Sequence, residues 1–345
     1  MNAALPDSPR AWHARVWSLA WPITLSNMSV PLVGAVDTAV VGHLPDAAYI
    51  GAVAVGAIIF NFLYWGFGFL RMGTTGFVAQ ALGAEDADEL RAVFVRALVT
   101  AAILGAGIIL LQSPVGVFVF WAFDASAEVE LLAAEYYRIR VWSAPAALAN
   151  YAILGLFIGT QHPRAALAVL LILNLSNVVL DFLFVVGFGM AVEGVALATL
   201  ISELFAAAAG LFIAVRILKK HDALGRLDPN RVFNPARLRA LFRVNADIFV
   251  RTVCLIFAFF YFTTVGAGMG DVTLAANAVL IHFLHFMAYG LDGFAHAAEA
   301  LAGNAYGRRD LRGFRAAVRT SAVWALLVSL GYCVVYAVFG AAIIG

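Results

Sequence analysis

Residues 171–187 read LILNLSNVVLDFLFVVG, an apolar run that carries Asn174, Asn177 and Asp181. Spacings of three and four place those three side chains on one stripe of a helix. A carboxylate inside an apolar membrane helix costs at least ~2.5–3.5 kcal/mol on insertion scales, so it faces a protein-lined cavity and finds a partner there. A second carboxylate of this kind, Asp37, lies in PLVGAVDTAVVG (31–42) and is a candidate partner. The rest of the chain reads as the housing for this pair.

The bulk composition agrees. Of 345 residues 63% are hydrophobic and 12% charged, about half the ~25% charged share of a soluble domain. Mean hydropathy is +0.91. Phe (27) and Gly (30) are plentiful, as in membrane helices. The fold class is an all-α polytopic membrane protein. The two cysteines, Cys254 and Cys333, have no metal or redox spacing and read as small apolar fillers. MNAALPDSPRAWHARVW (1–17) lacks the pattern of a cleaved signal peptide, so the first apolar helix serves as the insertion signal.

A span needs about 20 mostly apolar residues. Nine stretches qualify: 16–43, 49–80, 92–121, 130–159, 164–187, 191–218, 243–268, 272–304 and 316–341. Lys and Arg alternate across their connections. The N-terminal arm has Arg10 and Arg15, the second connection Arg91 and Arg96, and the fourth Arg164. The sixth has eight between Arg216 and Arg243, and the eighth has five between Arg308 and Arg319; the odd connections have none. The positive-inside rule then puts the N-terminus in the cytoplasm. The domain reading is a six-helix unit over 1–218, a cytoplasmic linker over 219–242 and a three-helix unit over 243–345.

Sliding the chain on itself by 224 residues pairs Gly42 with Gly266, Gly66 with Gly290, Gln80 with Asn304, Gly83 with Gly307, Asp86 with Asp310 and Arg91 with Arg315. Weak internal symmetry of this kind marks transporters built from repeated halves. Six helices separate the paired positions, so the repeat is parallel, with its axis along the membrane normal. Under this offset residue 345 falls on residue 121, and the second half holds three helices where the first holds six. The chain therefore reads as a fragment or as a truncated gene.

Two carboxylates sharing a low-dielectric cavity repel when both are ionised, and a proton held by one relieves this. A Na⁺ ion would neutralise them equally well, with Asn174, Asn177 and Thr199 as further oxygen ligands. The competing reading is a static polar cluster that holds helices together by hydrogen bonds. A second stripe, His285, Asp292, His296 and Glu299, recurs at seven, four and three in the eighth span and suits a cavity lining or proton relay. Arg71 sits within a span and can pair with an internal carboxylate; Arg138 and Arg140 can snorkel or bond across helices. Pro22, Pro31 and Pro145 fall within predicted helices and can kink them. No P-loop, dinucleotide fingerprint or nucleophile elbow appears in a suitable setting. Neither a cofactor nor a resident metal is expected, and transport would run on an ion gradient rather than ATP. The chain is read as no enzyme; an intramembrane hydrolase built on the His/Asp stripe ranks last.

WPITLSNMSVPLVGAVDTAVVGHL (21–44), GFGFLRMGTTGFVAQALG (66–83), EYYRIRVWSAP (135–145), NVVLDFLFV (177–185), EGVALATLIS (193–202) and LDGFAHAAEALAGNAYGRRD (291–310) resemble the MATE (multidrug and toxic compound extrusion) family, in its DinF-like branch. The resemblance implies two six-helix lobes, of which this chain would hold the first and half of the second, lacking the last three helices. It implies a secondary antiporter of a bacterial inner membrane, monomeric and without nucleic-acid partners, that exports organic, often cationic or amphipathic compounds in exchange for H⁺ or Na⁺. It carries the N-lobe cation site onto Asp37, Asn177, Asp181 and Thr199. It links Pro22 with helix bending and puts Asn150 in the same cavity. The alternatives are a non-transporting remnant or assembly partner, and a flippase of lipid-linked precursors, for which only Arg71 is placed to meet a phosphate.

Overall fold

The structure, a computed structural model, describes residues 6–42, 46–122 and 126–344; the side chains of 29–33, 35, 37, 38, 47, 122, 271 and 341–344 also lie outside the described residues. Among the described residues all regular structure is helical. The helices are α1 (Pro9–Val41), α2 (Ala47–Gly66), α3 (Phe69–Gly83), α4 (Ala87–Leu110), α5 (Gln112–Ala122), α6 (Ala127–Arg140), α7 (Ala144–Gly159), α8 (Pro163–Asp181), α9 (Val192–Lys220), α10 (Pro229–Val232), α11 (Pro235–Gly268), α12 (Asp271–Gly307) and α13 (Leu311–Ile344). Among the described residues eight helical stretches are long and apolar enough to cross a membrane. The remaining expected span, 16–43, falls on α1, a single helix of 33 residues.

Several details differ from the sequence reading. The span expected over 92–121 is instead Ala87–Leu110, followed by the separate α5. Arg91 and Arg96 are therefore not in a connection. They are buried on α4, where Asp86 caps the helix by accepting the Glu89 N–H at 2.9 Å. Pro22 lies within α1, which is helical across it, as the sequence places it. Within the stretch read as a linker, 219–242, α9 runs to Lys220, α10 is a single short turn, and α11 begins at Pro235 behind an Asn234 cap. Cys254 and Cys333 are exposed on their helices rather than packed as fillers.

The repeat is written into the backbone. Glu85 (φ 56°) and Arg309 (φ 58°), 224 residues apart, both adopt the left-handed conformation that non-glycine residues rarely take. Around them the same turn is built twice. Asp86 N–H donates to Ala81 O at 3.1 Å and Asp310 N–H to Ala305 O at 2.9 Å. The Asp86 and Asp310 carboxylates then cap the next helices through Glu89 N–H (2.9 Å) and Gly313 N–H (3.0 Å).

The halves also touch reciprocally. A Cβ on Gly83 would overlap the Asn304 carbonyl, and one on Gly307 would overlap the Gln80 carbonyl. Since Asn304 is the repeat partner of Gln80, position 83 meets position 80 of the other half in both directions. That is the signature of a two-fold axis, and it passes between α3 and α12.

The same end gathers the basic residues. Glu89 is buried between Arg96 (2.8 Å) and Arg237 (2.8 Å), and Asp86 pairs with Arg231 (3.0 Å). The last turn of α9 places Lys219 and Lys220 at its carbonyl end, where the helix dipole favours cations.

Candidate functional site

Three helical irregularities mark the interior, and each adjoins a polar or charged residue. Chain turns at Phe67–Gly68 separate α2 from α3 just before Arg71. A 3-10 turn, Val141–Ser143, separates α6 from α7 just after Arg140. A π-helical turn, Phe182–Gly187, follows Asp181 directly. Such breaks free backbone groups, and at membrane depth they persist only where protein or a water-lined cavity satisfies them. Two of them meet: Tyr64 hydroxyl lies 3.2 Å from Ser143 hydroxyl.

At the third irregularity Asp181 has no exposed surface and Asn177, one turn earlier, is 5% exposed. Asn177 Nδ2 donates to Thr199 Oγ1 at 3.4 Å, and that hydroxyl donates to Val195 O at 3.0 Å. Asn174 lies on the same helix, half-buried. The side chain of Asp37 lies outside the described residues; its helix, α1, packs along α8. The structure thus brings Asn177, Asp181 and Thr199 together on α8 and α9.

Asn150 (6% exposed) does not bond to these residues. It donates to Glu203 Oε2 at 2.8 Å and to Glu203 O at 3.2 Å. Sequence reasoning missed Glu203, although it carries the signal used for Asp181: an acid in a membrane helix, about 17 Å from the first residue of α9 at 1.5 Å per residue. Within electrostatic range of it stand Tyr64 of α2, Arg140 of α6 and Tyr151 of α7. Arg140 does not snorkel outward. It donates to Tyr136 hydroxyl at 2.6 Å and lies over the rings of Phe60 (4.8 Å) and Tyr136 (5.5 Å).

A second group lies on the two-fold axis. Arg71 Nη1 of α3 meets the His296 ring nitrogens of α12 at 2.8 and 3.0 Å, and His296 Nδ1 lies 3.5 Å from Glu299. Arg251 of α11 reaches Met72 Sδ at 3.9 Å and stands within electrostatic range of Glu299. Asn27 of α1 donates to Asp292 at 3.3 Å. The expected stripe therefore divides. Asp292, His296 and Glu299 face partners on three helices, whereas His285 packs against the Phe259 ring at 5.6 Å, apart from them. Pro22 is buried on α1, its carbonyl accepting from Ser26 at 2.8 Å. Among the described residues no three His, Cys, Asp or Glu side chains are placed to hold a metal ion.

Comparison with known proteins completes the picture. The MatE family profile matches residues 22–183 and 248–345. DNA damage-inducible protein F of Escherichia coli is 42% identical over 321 residues, covering 92% of this chain and 70% of that protein. The probable multidrug resistance protein NorM of Rhodopseudomonas palustris is 26% identical, covering 90% of this chain and 66% of its own length. A crystal structure of MATE in the bent conformation superposes with a TM-score of 0.84 at 23% identity, over 96% of this chain and 73% of that one. Repeat, broken helices and sequence identity agree: this chain belongs to the MatE family of membrane transporters.

Proposed function

We propose that the chain forms the core of a secondary antiporter that exports organic, cationic or amphipathic compounds in exchange for H⁺ or Na⁺, with Asp37, Asn177, Asp181 and Thr199 as the coupling-cation site. The observation that carries this is Asp181: a carboxylate with no exposed surface, in a membrane helix that turns π-helical at the next residue, beside the Asn177–Thr199 pair. A charge in that setting must be neutralised. A proton on the carboxylate does so, and so does a Na⁺ ion coordinated by carboxylate, amide and hydroxyl oxygens. Transport follows when cation and cargo bind the two access states unequally.

In the same reading residues 1–218 are a six-helix lobe, 243–345 are three helices of the second lobe, and 219–242 joins them in the cytoplasm, with the N-terminus on that side of a bacterial inner membrane. The flippase alternative has less support, because Arg71 is already engaged by His296. The test uses proteoliposomes loaded with ethidium. Asp181→Asn should abolish efflux driven by a pH or Na⁺ gradient while the melting profile in detergent stays unchanged. Efflux equal to that of the unsubstituted chain would overturn the mechanism, and whichever gradient drives it identifies the ion.

A further inference from the structure

One turn of α9 separates Thr199, which bonds Asn177 beside Asp181, from Glu203, which bonds Asn150. The polar surface of that site therefore does not end at Thr199. We propose that Glu203 is a second proton-binding carboxylate of the membrane interior, linked to the Asp181 site through the Thr199 turn and held in place by Asn150.

The static alternative is an ion pair with Arg140, which stands within electrostatic range of Glu203. The geometry argues against it. Arg140 donates to the Tyr136 hydroxyl and lies over the Phe60 ring, and none of the ion pairs among the described residues includes Glu203. The group bonded to its carboxylate is a neutral amide. An amide N–H can be accepted by Oε2 whether Oε1 is bare or carries a proton, so Asn150 fixes the position of the acid without fixing its charge. A salt-bridged guanidinium would instead hold it ionised.

Glu203 is only partly buried. The titratable groups within electrostatic range of it are Arg140 of α6, Tyr64 of α2 and Tyr151 of α7. Tyr151 is electrostatically coupled to both Glu203 and Arg71. Tyr151 thus relates Glu203 electrostatically to Arg71 of the Arg71–His296–Glu299 group. In the protonation step one proton binds Oε1 and the carboxylate becomes a carboxylic acid; no covalent bond to another residue forms or breaks.

The inference rests on the reading of Asp181 as a coupling site, and the experiment keeps the two separable. Infrared difference spectra of the purified full chain in lipid are recorded on acidification, with the carbonyl stretch of protonated carboxylic acids as the readout and no transported compound present. Two bands are expected, one lost in Asp181→Asn and the other in Glu203→Gln, which preserves the acceptor for Asn150. Asn150→Ala should shift the midpoint of the Glu203 band alone. Loss of a band in Asp181→Asn with a spectrum unchanged in Glu203→Gln overturns this proposal and leaves the coupling site standing; no change in either substitution overturns both. Should Glu203→Gln fail to fold, the Asn150→Ala midpoint decides.

Discussion

At Glu89 one buried carboxylate serves two guanidinium groups, those of Arg96 and Arg237. Removing one member of such a buried set leaves an uncompensated charge, at a cost of about 3–5 kcal/mol. Glu89→Gln should therefore lower the thermal midpoint clearly, whereas Asp88→Asn, at a carboxylate more than half exposed beside its partner Arg91, should cost less than ~1 kcal/mol and barely move it. Differential scanning fluorimetry in detergent checks the contrast. Asp181 was legible in the sequence because an acid among apolar residues stands out. Glu203 stands out by the same rule but was passed over, since nothing near it in the chain resembles a partner. Its partner Asn150 lies 53 positions away, and only the fold supplies it.

The helices themselves were legible from apolar length alone, and their internal irregularities were not. Nothing in FLFVVG announces a π-helical turn, because that geometry is set by how α8 meets α9 and not by local propensity. If this turn sets the aim of the Asp181 carboxylate, deleting Val186 should restore α-helical winding, rotate the preceding residues and abolish gradient-driven ethidium efflux with the chain still inserted. Wild-type efflux from the deletion variant would show that the turn is incidental. Connections offer a pH test. His162 and His221 face each other edge-to-face with centroids 6.0 Å apart. Burial, then nearby positive charge that includes Lys220, holds both below the ordinary 6.5. The unfolded chain binds these protons more readily than the folded one, so their contribution is full above the ordinary value and falls as pH drops through it. The thermal midpoint should decline from pH 7 to pH 5, and His162→Gln with His221→Gln should flatten that slope.

On the scale of the whole molecule, the offset of 224 made the repeat readable, because it is a property of the chain as a string. The reciprocal packing of Gly83 and Gly307 was not, since it depends on which faces of α3 and α12 the axis brings together. Orientation remains an expectation with a direct check. After Cys254 and Cys333 are replaced, Asp222→Cys should react with a membrane-impermeant maleimide only in permeabilised cells and Gly189→Cys in intact ones. The opposite pattern would invert the topology.

At Gly83 and Gly307, where α3 crosses α12, there is no upholstery: main chain lies on main chain. Ala at position 83 or 307 inserts a methyl into a space that a carbonyl already fills, at about 1–3 kcal/mol by analogy with overpacked cores. Because the axis exchanges the two positions, Gly83→Ala and Gly307→Ala should act as identical doorstops, each holding the basic end ajar by the same amount. Spin labels across that end would show equal widening in both, and unequal widening would mean that the halves do not swing as mirror partners of one hinge.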